Sequence, residues 1–493
     1  MIAFGSTSGR WVLAVAVLGS GLAFLDGTAV NVALPEIGRD LDASTSQLQW
    51  IVNGYLLSLA SLILLGGSLG DRLGRRRVFV FGVGVFTAAS LLCAIAPNAE
   101  MLIGARLLQG IGGALLTPGS LAMIESSFRP DDRARAIGAW SGLGGVATAI
   151  GPLLGGYLVD AVSWRAIFLI NLPIGIFVIA MAARHVPETR DPTASGRLDI
   201  PGAVLAALGL AGTTYALIEG PERGISPLIV LTGAGGLIAL VAFLLAERRS
   251  ANPMMPLGIF SSRQFSAANL VTFTVYAALG GVFFLLVAFL QISLGYSAIA
   301  AGAASLPITF LMLVFSARSG ALAQRIGPRL PLTVGPFVIA AGLLLMTRID
   351  PGDSYVSSVL PAVIVFGSGL TLVVAPVTAT VLAAADARHS GIASGINNAV
   401  SRVAGLVAVA VLPLIAGLTG DSFYDPAAMA DGFHVAMVAC AGLAALGGVL
   451  AWLTISDDVL EEEPKRRGDS AVAVSTDFSC AVAGTPLQRT IEA

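Results

Sequence analysis

Asp26 stands inside an otherwise apolar run, Trp11 to Leu34, that is long enough to cross a bilayer. A charge at that depth costs about 2.5–3.5 kcal/mol on insertion scales, so a carboxylate there is expected to face a protein interior or a watery cavity. The local text, Leu25-Asp26-Gly27-Thr28-Ala29-Val30-Asn31 and on to a terminal Pro35, puts one acid and two further polar side chains on a single apolar helix. A second embedded charge, Arg106, lies in the run 101–123. Asp26 precedes Leu34 by eight residues and Arg106 follows Met101 by five, which is roughly 12 Å and 8 Å of helix. If the two helices run in opposite directions, both charges sit at comparable depth.

The proton affinity of a buried carboxylate depends steeply on whether a cation stands beside it. A rearrangement that changes the Asp26–Arg106 distance is therefore a proton switch. Two blander readings stay open. The pair could be static and serve only helix register. Alternatively, Asp26 could accept backbone donors at a helix break near Gly27, with Arg106 satisfied by carbonyls.

Composition names the medium that these charges occupy. Hydrophobic residues make up 56% and charged residues 12%, against about 25% charged in soluble domains, and the mean hydropathy is +0.85. This is an all-α integral membrane chain. Taking about 20 apolar residues per span, fourteen spans are predicted, near 11–34, 48–69, 78–96, 101–123, 137–159, 166–184, 200–218, 227–246, 265–291, 299–322, 330–347, 357–383, 394–418 and 433–455. Connections are short. The segment after Ser456, with Glu461, Glu462, Glu463, Lys465, Arg466 and Arg467, reads as a disordered tail.

With the N-terminus in the cytoplasm, 22 of the 28 basic residues fall on that side, so both termini are expected there. Arg39, Arg165, Arg223 and Arg348 fall outside, and Arg106 and Arg402 within spans. A net charge of −2 argues against nucleic acid as a partner. The only lysine, Lys465, is followed by Arg466, so no Gly-Lys-Ser/Thr phosphate loop exists and ATP hydrolysis by that route is excluded. Cys93, Cys440 and Cys480 have neither metal-site spacing nor a disulfide framework. The first apolar run is too long, and too charged at Asp26, for a cleavable signal peptide.

The halves repeat weakly. Gly67-Ser-Leu69-Gly-Asp71-Arg72-Leu-Gly74-Arg75-Arg76, between spans 2 and 3, is echoed by Gly320-Ala-Leu322-Ala-Gln324-Arg325-Ile-Gly327-Pro-Arg329, between spans 10 and 11. Pro152-Leu-Leu-Gly155-Gly156 is echoed by Pro413-Leu-Ile-Ala-Gly417. An offset of eight spans predicts a parallel six-helix repeat with two helices inserted between the copies. The expected division is 1–190 (N-terminal six-helix bundle), 191–252 (two central helices), 253–456 (C-terminal six-helix bundle) and 457–493 (cytoplasmic tail). Chance similarity between Gly-rich segments is the alternative.

These motifs resemble the major facilitator superfamily, specifically its fourteen-helix drug:proton antiporter family. The Gly67–Arg77 loop is similar to that family's loop between helices 2 and 3. Leu102-x-x-x-Arg106-x-x-Gln109-Gly110-x-Gly112 resembles its helix 4 motif, and Gly151-Pro152-Leu-Leu-Gly155-Gly156 its exporter motif in helix 5. Leu25 to Pro35 resembles the helix 1 motif, and Trp164-Arg165-x-x-Phe168-x-x-Asn171-x-Pro173 is also similar. The resemblance spans about residues 10–456. Gln324 departs from the pattern, standing where the first loop has Asp71.

The resemblance implies a major-facilitator fold, proton-coupled export of amphipathic small molecules, no enzymatic activity and no cofactor. It implies that helices 1 and 4 line a central cavity. It also implies that Asp71 rests on the N-terminal end of helix 13, near Ala393, where the helix dipole favours a carboxylate. Gly67, Asp71, Arg72, Gly74, Arg75 and Arg76 would then gate the inner side, with tight turns at Gly70 and Gly74. The plainer reading gives the arginines a topological role only. Gly151, Pro152, Gly155 and Gly156 would shape a moving interface, ordinary tight packing being the alternative.

Asn31, Asn53, Tyr55, Gln291, Asn397, Asn398 and Arg402 are candidate cavity or interface groups, and for any single one an interhelical hydrogen bond is the expectation ahead of substrate contact. Trp164 and Arg165 are expected to anchor helix 6 at the outer interface. His185 and His389 at inner loops and His434 at an outer end leave no histidine relay. Partners are then an amphipathic solute, protons and the bilayer, with the monomer as functional unit in a bacterial cell membrane. A proton-coupled nutrient importer and a non-transporting receptor or scaffold are the alternatives.

Overall fold

The computed structural model describes residues 2–191, 198–385 and 390–460. His389 and the charged run Glu461 to Arg467 lie outside them. Fourteen helices are long and apolar enough to cross a membrane. They are α1 (Thr7–Leu41), α2 (Thr45–Leu73), α3 (Arg75–Ala94), α4 (Ala99–Ser127), α5 (Pro130–Ala161), α6 (Ala166–His185), α7 (Ile200–Arg223), α8 (Pro227–Arg249), α9 (Arg263–Ile292), α10 (Ala298–Ile326), α11 (Arg329–Met346), α12 (Tyr355–Ala383), α13 (Ser390–Ile415) and α14 (Pro426–Thr454). Among the described residues no strand forms. One isolated bridge joins Ile2 to Phe128.

Several helices run past the apolar windows that announce them, because charged residues continue the helix beyond the hydrocarbon. Pro35 does not end α1. The helix passes through it to Leu41, and Asp42 closes it at φ 48°. Glu36, Arg39 and Asp40 hide this extension from hydropathy, although Ile37 and Gly38 in the same turns are buried. α5 likewise opens with two acids, Asp131 and Asp132, in its first turn. Caps mark other starts. Ser44 and Gln47 form a reciprocal capping box at α2, and Asn98 caps α4 through Met101 N–H.

Helix pairing repeats at an offset of eight. In the first half α1 packs on α5, α2 on α4, α3 on α6 and α1 on α6. In the second half α9 packs on α13, α10 on α12, α11 on α14 and α9 on α14. α7 lies across the seam against both α2 and α13, and α8 packs on α7. The extra pair is pinned by Trp50 Nε1 donating to Glu219 at 2.9 Å, and by Ser46 N and Oγ donating to Glu222 at 3.0 and 2.8 Å.

The two loop copies share a further device. Gly74 has φ +116° and Gly327 φ +84°, conformations open to glycine. At each, a carboxylate from beyond the last helix of the same half caps the next helix. Glu188 Oε1 accepts from Arg76 N at 3.1 Å, and Asp457 Oδ1 accepts from Arg329 N at 3.1 Å. A Cβ at Gly74 would sit 2.6 Å from Glu188 Oε1, and one at Gly327 2.1 Å from Asp457 Oδ1. Asp457–Leu460 is accordingly a 3-10 turn, an ordered start to the segment expected to be disordered. Gly70, expected to turn, is helical.

Candidate functional site

Asp26 and Arg106 form an ion pair, each 1% exposed. α1 and α4 are adjacent and run in opposite directions, which brings the two side chains to one level despite the longer α1. Three side-chain donors converge on the Asp26 carboxylate. Arg106 Nη1 donates to Oδ2, Gln109 Nε2 to Oδ1 at 2.8 Å and Asn171 Nδ2 to Oδ1 at 3.3 Å. Ser90 Oγ ties the outer members together, accepting from Gln109 at 2.9 Å and from Asn171 at 3.3 Å. Arg106 holds two neutral acceptors as well, Ile51 O at 3.0 Å and Gln109 Oε1 at 2.5 Å. Its guanidinium carbon lies 4.5 Å from the centre of the Tyr55 ring, a cation–π contact in a desolvated setting.

Both Asp26 oxygens thus meet donors, and Arg106 has Ile51 O, Gln109 Oε1 and the Tyr55 face besides its carboxylate. The reading with Asp26 on backbone donors does not match this arrangement. Gly27 instead remains helical and exposed, with nothing within 4 Å of an added Cβ. Asn171 and Ser90 had no assigned role in the sequence. Asn171 follows the interruption of α6 at Ile170, and its place in the Trp164-to-Pro173 motif was the available signal.

Among the described residues, Asp71 Oδ1 accepts from Arg75 Nε at 2.9 Å and Nη2 at 2.7 Å, within its own half, and no hydrogen bond joins it to α13. Gly67 faces Pro118 of α4, and half-buried Arg72 stands beside Asp71. Arg76 donates to Val186 O at 3.0 Å. Gly110 lets α4 meet α2, since a Cβ there would fall 2.3 Å from Tyr55 O. α5 is squeezed from two sides. A Cβ at Gly151 would fall 1.9 Å from Thr28 Oγ1, at Gly155 2.9 Å from Ala29 Cβ, and at Gly156 2.5 Å from Ala298 O of the other half. The carbonyl of Pro152 lies against Gly302 of α10.

The halves are sealed at the end opposite the N-terminus. Gln291 Nε2 donates to Val32 O at 2.8 Å, Gln49 Nε2 to Val409 O at 2.7 Å, Thr45 Oγ1 to Gly420 O at 2.8 Å and Tyr424 OH to Ala43 O at 2.6 Å. Burial pushes the Tyr424 phenol up to about 12, so it stays a protonated donor there. Nearby, Trp164 Nε1 and Arg165 Nη1 both donate to Asp40 Oδ2, at 2.9 and 2.5 Å.

The remaining candidates divide. Asn397 donates to Asn269 Oδ1 at 3.2 Å and Thr272 Oγ1 at 2.9 Å, an interhelical bond inside the second half. Gln291 belongs to the seal. Asn31 is half-buried and Asn398 exposed. Asn53 is fully buried with neither amide atom partnered. His185 stacks on Trp11 at 4.7 Å, and His434 lies 3.0 Å from Ile349 O.

Fourteen membrane-length helices among the described residues, packed in two similar sets around a buried charge network, are a transporter architecture. Residues 16–409 match the family model described as Major Facilitator Superfamily, and the chain belongs to that family. It is 38% identical over 92% of its length to the methylenomycin A resistance protein of Bacillus subtilis, covering 95% of that protein. It is 36% identical over 85% of its length to the tetracenomycin C resistance and export protein of Streptomyces glaucescens, covering 78% of that one. Among solved structures, a bacterial homologue of the human lysosomal transporter Spinster, inward-facing and unoccupied, matches with a TM-score of 0.64 and 17% identity. That match covers 91% of this chain and 98% of the other.

Proposed function

We propose that this protein is a proton-coupled secondary transporter that exports amphipathic small molecules across a bacterial cell membrane by alternating access. The single observation that carries the proton coupling is the Asp26–Arg106 pair, buried to 1% exposure and completed by Gln109 and Asn171. Export is supported by relatives whose names speak of antibiotic resistance and export. In this reading the chain comprises a six-helix bundle over 1–190, two inserted helices over 191–252 and a second bundle over 253–456, with both termini cytoplasmic and the monomer as working unit. The sealed end then faces outward and the molecule is inward-open. Asp71, bound within its own half, is the released form of an inner gate that Gly67, Arg72, Gly74, Arg75 and Arg76 complete. Gly151, Pro152, Gly155 and Gly156 let α5 close against α10.

Reconstitution into liposomes with an imposed pH difference tests this. Uptake of amphipathic dyes should follow the proton gradient and collapse with a protonophore. Flux indifferent to the gradient would refute the coupling, and raised accumulation in expressing cells would favour import.

A further inference from the structure

Arg402 is the embedded charge that the proton network does not use. It lies twelve residues from Ser390 and thirteen from Ile415, roughly 18–20 Å of helix from either end of α13. A guanidinium at that depth calls for a partner or a watery cavity. Arg106 has its carboxylate. Among the described residues none lies within ion-pair distance of Arg402, and its Nε is buried without a hydrogen-bond partner.

Its neighbours on α13 are polar or small side chains. Ser394, Asn398 and Gly405 share its face of α13 by helical spacing, Asn398 exposed and the others half-buried. Gly405 touches Gly280 of α9 and faces Leu56 of α2, which puts Arg402 one turn away from the junction of three helices. Tyr276 precedes Gly280 on α9 by about one turn, as Arg402 precedes Gly405 on α13, so the two lie at a similar level. Asn53 sits on the face of α2 that carries Gln49 and Leu56, both directed at α13. Its two unpartnered amide atoms are thus aimed at the same seam.

We propose that Arg402 is the counter-charge for an acidic group on the transported molecule. The substrate class is an amphipathic organic anion, a carboxylate or phenolate on an apolar ring system. Its acid meets Arg402, its body lies against Tyr276, and Asn53 adds an amide contact when α2 and α13 part. Asp26 and Arg106 cancel, so the empty cleft carries one net positive charge that attracts anions and repels cations. The proposal rests on the efflux reading for the identity of the cleft, but its test needs no gradient.

Purified protein in detergent at pH 8 is titrated with fluorescein, an amphipathic anion, and with ethidium, a cation, and binding is read by anisotropy. The wild type should bind fluorescein more tightly than ethidium. Arg402→Gln should weaken fluorescein about ten- to a hundredfold, the range for a hydrogen bond to a charged group, with ethidium unchanged or tighter. Arg402→Lys should retain most of the affinity. A wild type with no preference for the anion overturns the proposal without any variant. Equal loss of both dyes with a lowered Tm does so too, since that marks a structural arginine. Unaltered dye binding with a shifted pH profile of transport would make Arg402 a partner of Asp26 and also sink it. Selective fluorescein binding without gradient-driven flux leaves the anion site standing and removes the efflux reading.

Discussion

Asp160 at the end of α5 caps the start of α10, its Oδ1 accepting from Ala298 N at 3.1 Å and its Oδ2 from Ile299 N at 2.8 Å. An acid of the first half thus sits on a helix N-terminus of the second, where the helix dipole favours it by about 0.3–1 kcal/mol, up to about 2 when partly buried. The family resemblance led us to expect this device at Asp71 and α13, on the opposite face. Asp160→Asn should therefore shift the balance between closed and parted forms of the sealed end toward the parted form. The factor is about two- to thirtyfold by the same energies. Spin-label distances between α5 and α10 read it directly, and an unchanged distance distribution would contradict the latch.

Gly156 tests the same contact by volume. An added Cβ would meet Ala298 O at 2.5 Å and Ile299 Cα at 2.6 Å, both backbone atoms that cannot turn aside. Gly156→Ala should force α5 from α10, destabilise the seal between the halves and slow transport about tenfold or more, the cost of overpacking being about 1–3 kcal/mol. Gly145→Ala is the control, because nothing lies within 4 Å of its added Cβ. Equal activity of the two variants would show that the close approach does not limit the cycle.

Hydropathy made the number and order of helices legible, since each span must supply its own apolar length. The ends were less so. Glu36 to Asp40 extend α1 in residues that read as loop, and Pro35 reads as a stop because a proline's cost is visible while the packing that offsets it is not. The ion pair was legible because Asp26 and Arg106 are rare residue types at bilayer depth. Asn171 and Ser90 were not, because one polar side chain on an apolar helix has the same text whether it supports a carboxylate or bonds its own backbone. Asn397 was named as a cavity or interface group for that reason, and it forms an interhelical bond. Asp160 carries no local mark at all. Its partner is 138 residues away, and only the meeting of two halves reveals it.

Asp71 and Arg75 lie on a partly exposed surface, 39% and 18% exposed as side chains. Such pairs contribute about 0–1 kcal/mol, so Asp71→Asn should lower Tm little. If the gate closes through Asp71 in the other state, turnover should fall several-fold while dye affinity in detergent stays constant. A variant that loses affinity and keeps turnover would place Asp71 in binding instead.

If Asp26 carries the proton, as proposed, the composition of its network sharpens what must move. Arg106, Gln109, Ser90 and Asn171 all come from α3, α4 and α6, in the same half as α1. Rocking two rigid halves leaves every one of these contacts intact. Proton binding therefore has to shift helices within the first half before the seam can respond, and Gly27, open on the neighbouring position, gives α1 room to do so. Asp26→Asn removes the charge and leaves Arg106 buried without its counter-ion, a loss of about 3–5 kcal/mol. Membrane insertion should be normal, Tm lower and gradient-driven transport absent. Adding Arg106→Gln to Asp26→Asn should recover part of the lost stability, because no uncompensated charge remains, while transport stays absent. Thermal unfolding of the four proteins in the cycle gives the coupling between the two residues, and liposome flux gives the function. Full gradient-driven flux in Asp26→Asn would remove this carboxylate from the mechanism. Stability that is merely additive in the double variant would mean that the pair, although in contact, carries no energetic coupling.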